Sequence, residues 1–241
     1  MTHLKYFIII SMFFYGCQSN LKKEYYPSGK LKSEIPIKNG MKSGKGINYN
    51  ESGTVSSTAM WANDLLNGEN IIYNENGKIN QINQYKNGSR CCTSKFYSTE
   101  GNLIEIQYLD DKERVVDYEK YKSEGVRNLS IEASKPIIIS DADTVDFDNY
   151  YIAKIRLGNR RYDNIKVILG KPESNNDYFK QEGLPRADSV TSVLRMKAEK
   201  EGVNKVEGVI IEINKAMPDT LLAIPFSHTF FVRNKKGVHF L

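Results

Sequence analysis

Cysteine is scarce: the 241 residues contain three, Cys17, Cys91 and Cys92, and the last two are adjacent. That excludes a disulfide framework. A bridge between Cys91 and Cys92 would close a strained ring far from ordinary disulfide geometry. As strand neighbours they are expected to point to opposite faces. Histidine is equally sparse, with His3, His228 and His239. His228 lies in the alternating "AIPFSHTFFV" and reads as an exposed strand residue, and His239 lies in the C-terminal tail. Neither is expected to ligate a metal or serve as a base. An excess of one charge is also lacking. Residues 22–125 hold 15 basic and 14 acidic side chains, and residues 126–241 hold 18 and 15. No basic stripe is available, which argues against nucleic-acid binding. The longest apolar run, Tyr6 to Tyr15, is about half of the ~20 residues that a membrane-spanning helix needs.

Repetition is what the chain does have. Gly29, Gly53, Gly77, Gly101 and Gly125 follow one another at intervals of 24 residues. Tyr25, Tyr49, Tyr73, Tyr97 and Tyr121 each stand four residues earlier, in "YYPSG", "YNESG", "YNENG", "YSTEG" and "YKSEG". Eight residues after each Gly come Ile37, Trp61, Tyr85, Leu109 and Ala133. Second turns follow the first four of these, at "KNG", "AND", "KNG" and "DDK". No gap is needed across five copies, so the period defines the architecture.

One copy reads as a β-hairpin. The turn glycines suit φ > 0. The run after each turn alternates: Leu31, Ser33, Ile35 and Ile37 face one way, as do Val55, Ser57, Ala59 and Trp61 in the next copy. A lone hairpin is marginal in water, and stacked copies bury a shared face. Arg127 replaces the apolar residue of the earlier copies, which marks the fifth copy as a cap or junction. Cys92 shares its column with Gly44 and Gly68 and reads as a small residue at a crowded position. A redox or intermolecular thiol is the alternative.

"YYPSGKLKSEIPIKNG" and "YNENGKINQINQYKNG" resemble the bacterial variant of the MORN repeat, also named for YwqK-like antitoxins. The resemblance covers Lys22 to Gly125. It implies an elongated, rolled antiparallel sheet of hairpins whose motif positions are turn glycines and aromatics, with no catalytic residues.

The N-terminal "MTHLKYFIIISMFFYGCQSN" has a basic start at Lys5, a short apolar core and Gly16–Cys17. It resembles the leader of bacterial lipoproteins, in which the Cys is acylated and becomes the mature N-terminus. A plain secretory signal or tethering segment is the alternative. Lipid anchoring through Cys17 implies the cell envelope, and Gln18 in place of Asp leans toward the outer membrane. A cytoplasmic antitoxin has no need of such a leader. Residues 1–17 are thus assigned as signal peptide, 18–24 as a short tether, 25–130 as the repeat array and 131–241 as a second domain.

In that second domain the repeat stops and longer runs begin. Strands are expected at Pro136–Ser140, Tyr150–Leu157, Ile165–Leu169, Ser192–Lys197, Val206–Ile213 and Leu221–Val232. Such spacing suggests a β-sandwich, and "NYYIAKIRLG" and "PFSHTFFV" resemble Ig-like envelope domains of Bacteroidetes-type bacteria. A helix over Ser189–Lys200 is the alternative for "SVTSVLRMKAEK". The expected fold class is therefore all-β: a hairpin array followed by an Ig-like sandwich.

Few residues suggest chemistry. Asp141, Asp143, Asp146 and Asp148 form an acidic run. It lacks the Gly and Glu of an EF-hand loop, and reads as a solvated loop with a looser Ca²⁺ site as the alternative. Gly170–Lys171 is an ordinary turn, without the earlier Gly of a phosphate loop. No Ser-His-Asp or Cys-His grouping can be assembled, so neither an enzyme nor a cofactor is expected. The aromatic columns remain as candidate contacts: Tyr49, Tyr73 and Tyr97 in one file, Trp61 and Tyr85 in another. They either fill a core or anchor an extended partner, and an exposed sheet edge at either array end offers strand addition. The expected function is a non-enzymatic envelope lipoprotein binding another envelope protein or a surface glycan. An antitoxin or immunity protein at the membrane is the alternative, revealed by a co-transcribed neighbour that kills when expressed alone.

Overall fold

A computed structural model describes residues 20–122, 125–170, 182–216 and 221–234. The N-terminal segment with Cys17 and the C-terminal segment with His239 lie outside these residues. Ten strands build the first sheet: β1 (Asn20–Tyr25), β2 (Leu31–Lys38), β3 (Met41–Lys42), β4 (Gly44–Tyr49), β5 (Val55–Ala62), β6 (Leu65–Tyr73), β7 (Ile79–Lys86), β8 (Ser89–Tyr97), β9 (Leu103–Leu109) and β10 (Val115–Lys120). They pair antiparallel in chain order, with β3 beside β2. The period explains the register. Each of the five repeat glycines has φ between 73° and 89°. Each N–H donates to the carbonyl three residues earlier at 2.8–2.9 Å, and the preceding pairs in the first four copies carry a bulge. This is the turn-plus-bulge hairpin that needs one left-handed residue. The second turns use paired left-handed residues: Asn39–Gly40, Asn63–Asp64 and Asn87–Gly88. The fourth has no such pair. It widens around Asp110, whose side chain accepts the Lys112 and Arg114 amides, and Glu113 takes φ 61°.

Residues assigned to a tether are instead mostly strand. β1 pairs with β2 along its full length, and its Lys22, Lys23 and Glu24 are exposed. Local composition read as a linker because an edge strand carries charge on both faces, which discourages further pairing.

The second unit has eight strands: β11 (Lys135–Ser140), β12 (Thr144–Asp146), β13 (Tyr150–Gly158), β14 (Ile165–Leu169), β15 (Arg186–Asp188), β16 (Thr191–Lys197), β17 (Gly202–Ile213) and β18 (Leu221–Arg233). They form sheets in the orders β11-β13-β16-β15 and β12-β18-β17-β14, and the fold as a whole is all-β. β12 runs parallel to β18 and the other pairs are antiparallel. The two sheets share one core of Tyr151, Ile155, Leu157, Leu194, Ile165, Ile210, Phe226 and Val232, among others. Burying each aliphatic side chain there contributes roughly 1.5–3 kcal/mol. The helical alternative for Ser189–Lys200 is corrected: β16 pairs with β13 and β15, and Ser192 and Leu194 are buried. Pairing on both edges overrode a mixed local propensity.

The two units are joined by a polar and aromatic seam. The fifth hairpin shrinks to a single bridge, Tyr121 to Arg127. Tyr118 of β10 is buried over Gly158, and its hydroxyl donates to the Ala133 carbonyl at 3.1 Å. Asn159, fully buried, donates its amide to the Tyr118 carbonyl (2.8 Å) and its Nδ2 to the Asn128 carbonyl (2.7 Å). Its Oδ1 accepts the Lys120 amide at 2.9 Å. Asp117 accepts Arg160 at 2.6 Å. The far edge of the array is therefore occupied along Tyr118–Lys120, and the expectation of a free edge at either end is corrected to β1 alone among the described residues.

Burial pushes the Tyr118 phenol from an ordinary 10.0 up to about 12. A raised folded-state value stabilises the protein fully below pH 10, and that contribution is lost as pH rises toward 12. Denaturant midpoints measured across this window should fall more steeply for the wild type than for Tyr118→Phe. Parallel slopes would show that Tyr118 ionises as it does in the unfolded chain.

Candidate functional site

Cross-strand pairing divides the repeat sheet into two chemically different faces. On one, Glu34, Ile47, Thr58, Ile71, Ile82, Lys95, Ile106 and Glu119 stand directly opposite one another in a continuous row. Tyr49, Tyr73, Tyr97 and Tyr121 lie two positions further along their strands and flank this row. The four isoleucines and these four tyrosines are all half-buried. Tyr49 donates to Glu34 at 2.7 Å, which raises its phenol pKa through that bond first and burial second. Tyr121 donates likewise to Glu119 and is pushed up to about 12.

The opposite face carries Ile35, Ala59, Asn70, Asn83, Ser94 and Gln107. Ile35, Ala59, Asn83 and Ser94 are buried there. Larger neighbours close over small ones, as Trp61 does over Gly46 beside Ile35. Asn83 accepts Ser94 and Gln81, both at 2.8 Å. Trp61 lies under the Lys42 ammonium, 4.4 Å from its ring, and is half-buried, as is Tyr85. The two aromatic files are thus on opposite faces, and neither is a closed core. Alternation alone held this information, because Tyr49 follows Ile47 by two positions and Trp61 follows Ala59 by two.

The structure disperses the acidic run. Asp141 pairs with Lys112 and Arg114, Asp146 with Arg233 and Asp148 with Lys197. Among the described residues no group of three or more His, Cys, Asp or Glu is arranged to hold a metal ion. His228 is not an exposed strand residue. It is half-buried, 2.6 Å from the Tyr151 hydroxyl, and Tyr151 in turn stacks on Phe230 at 4.0 Å. His228 shares the inward alternation of Ile224, Phe226, Phe230 and Val232.

A cleft of about 580 Å³ lies between the units, and sequence reasoning missed it. Its walls are the Asp110–Arg114 turn, Ser140–Ala142 and the outward side of β13, with Tyr150, Ile152, Lys154 and Arg156. Arg114 is bound to Asp110 (2.8 Å), the Ser140 carbonyl (2.7 Å) and Asp141 (3.2 Å). Burial opposes ionisation of Asp110, yet the Arg114 and Lys112 donors outweigh it and lower its pKa. The Asp141 pKa is lowered first by its bond to Lys112. Tyr150 stacks on Arg195 at 4.2 Å. These charges are mutually engaged, so the cleft mainly locks the array to the sandwich.

Fold and faces define a hairpin-repeat protein of the all-β class. The family model for the MORN repeat variant matches residues 20–39 and 66–87. Each match is one hairpin, β1–β2 around Gly29 and β6–β7 around Gly77, so the family's unit and the structural unit coincide. No curated protein matches the chain. Among solved structures, that of accessory secretory protein 1,2 and 3 in Streptococcus pneumoniae is similar over 44% of this chain and 18% of that one. It is 20% identical, with a TM-score of 0.20. So slight an overlap bears on neither fold nor function.

Proposed function

We propose that the protein is a non-enzymatic envelope lipoprotein. It is tethered through acylated Cys17 and uses the isoleucine–tyrosine face of its repeat array to bind another envelope protein or a surface glycan. The observation that carries this reading is the file of half-exposed isoleucines, Ile47, Ile71, Ile82 and Ile106, with its flanking tyrosines, interrupted by the buried Thr58. Half-exposed aliphatic and aromatic side chains in a regular file suit an extended partner, and Tyr is enriched where binding energy concentrates. The second unit acts as an Ig-like module. Its strand orders support this, since they correspond to the ABED and CFG sheets of that fold with one added strand beside G. The address rests on "FFYGCQSN", and more than one acyl chain anchors stably where a single chain does not.

Cells fed a labelled fatty acid should label the wild type and leave Cys17→Ser unlabelled and out of the membrane fraction. Equal labelling would remove the lipid anchor. In-cell crosslinking should then capture one or a few envelope proteins reproducibly, or material released by glycan digestion. Capture of bulk lipoproteins alone would contradict the scaffold.

A further inference from the structure

We infer that Cys91 and Cys92 form a thiol–disulfide exchange site on the repeat array. Three observations converge on it. First, the repeat column that holds Gly44 and Gly68 has φ of 111° and 116°, and Cys92 occupies it with φ 62°. The column is crowded, as a small residue there suggests, with Met60 beside Gly68 and Pro36 beside Gly44, and it also demands a left-handed backbone, which residues with a Cβ adopt at a cost. Second, that conformation sits in a bulge. Asn83 pairs with Ser94 and Gln84 with Cys91, leaving Cys92 and Thr93 without partners on β7. In a regular strand the two thiols would diverge, as the sequence suggested. Here the bulge turns them together, with their Sγ atoms 2.8 Å apart. Third, the pair is accessible, Cys92 being exposed and Cys91 half-buried. The chain's remaining cysteine is Cys17 of the leader.

The chemistry suits exchange with a small-molecule or protein disulfide, RSSR. The Cys92 thiolate attacks one sulfur, a mixed disulfide forms, and the first RS⁻ leaves and takes up the proton that Cys92 lost. Cys91 then gives up its proton and attacks Cys92 Sγ, expelling the second RS⁻. The protein loses two protons and two electrons, and RSSR gains both to become two RSH. The Cys91 pKa is raised, first by its contact with Cys92 and then by burial, which casts it as the second, resolving thiol. Adjacent Cα atoms stand about 3.8 Å apart, short of the roughly 4.4–6.8 Å of ordinary disulfides. Strained, exposed disulfides are readily reduced, so the bond serves as a reversible modification rather than a staple.

Trypsin cleavage after Arg90 and Lys95 isolates both thiols in one short peptide. The full-length protein is incubated with oxidised glutathione, its remaining thiols are alkylated, and the peptide is weighed. The wild-type peptide should lose two hydrogens, take up no alkyl group and return to the dithiol with excess reductant. Cys91→Ser should halt at a glutathione adduct on Cys92, several-fold more abundant than in the wild type. Cys92→Gly restores the residue of the earlier copies, relieves the left-handed backbone, and should melt no lower than the wild type with one alkylated thiol. A wild-type peptide that stays doubly alkylated, or accumulates adducts without closing, overturns the site.

Discussion

Asn159→Ala should destabilise the protein by about 3 kcal/mol, because two backbone groups lose their partners at once. The Lys120 amide and the Asn128 carbonyl, 39 and 31 residues away in sequence, are satisfied by this one side chain. Its backbone bonds to Tyr118 and Ser134 would persist. Asn159 also has φ 51°, a conformation that Asn tolerates and Ala resists. Asn159→Gly separates the two effects: it removes the same two hydrogen bonds but relieves the backbone. It should therefore lose less than Ala, by about 1 kcal/mol. Chemical denaturation of the three proteins gives the comparison. Equal stability of all three would mean that water replaces the side chain and that the seam is loose.

Gly158→Ala should cost a similar amount through crowding. A Cβ on Gly158 would clash with Tyr118 Cε1 and stand 2.8 Å from Ile137 Cδ1. The ring has little freedom to withdraw, being buried and tied to Ala133. Overpacking of this kind costs about 1–3 kcal/mol, several degrees in melting temperature for a chain of this size. The diagnostic is non-additivity. Tyr118→Ala opens the space that the new methyl needs, so the double variant should be more stable than the sum of the two losses implies. Strict additivity would place the cost of Gly158→Ala somewhere other than this contact. The same seam changes how the domains should be dissected. Truncation after Gly125 strips the cover from Tyr118, so substitution is the sounder way to separate the two units.

The hairpins were legible because their signal is local and repeated. Gly77 needs a left-handed turn whatever surrounds it, and five copies state the same requirement. The core strands of the sandwich were legible from alternation, as in β13. The three-residue strands β12 and β15 carry too little pattern to register. His228 could have been placed inward from its apolar neighbours at every second position. Its polarity argued for exposure, whereas its partner Tyr151 lies 77 residues away. The seam was illegible for the same reason: nothing near Asn159 reveals that it closes β10. The bulge at Cys92 was half legible, since the shared column with Gly44 and Gly68 was visible but its backbone cause was not.

The division of the array into two faces supplies the sharpest test of the proposed binding surface. Partner capture by in-cell crosslinking is quantified for the wild type, for the Tyr49→Ala, Tyr73→Ala, Tyr97→Ala triple variant, and for the Trp61→Ala, Tyr85→Ala double variant. Each variant must first show a cooperative melt. Capture should fall by about tenfold or more in the triple variant, the loss expected when central aromatic anchors are removed. It should stay near the wild-type level in the double variant, whose side chains lie on the other face. Undiminished capture by the folded triple variant, or loss confined to the Trp61 and Tyr85 variant, would contradict the assignment of the isoleucine–tyrosine face as the binding surface.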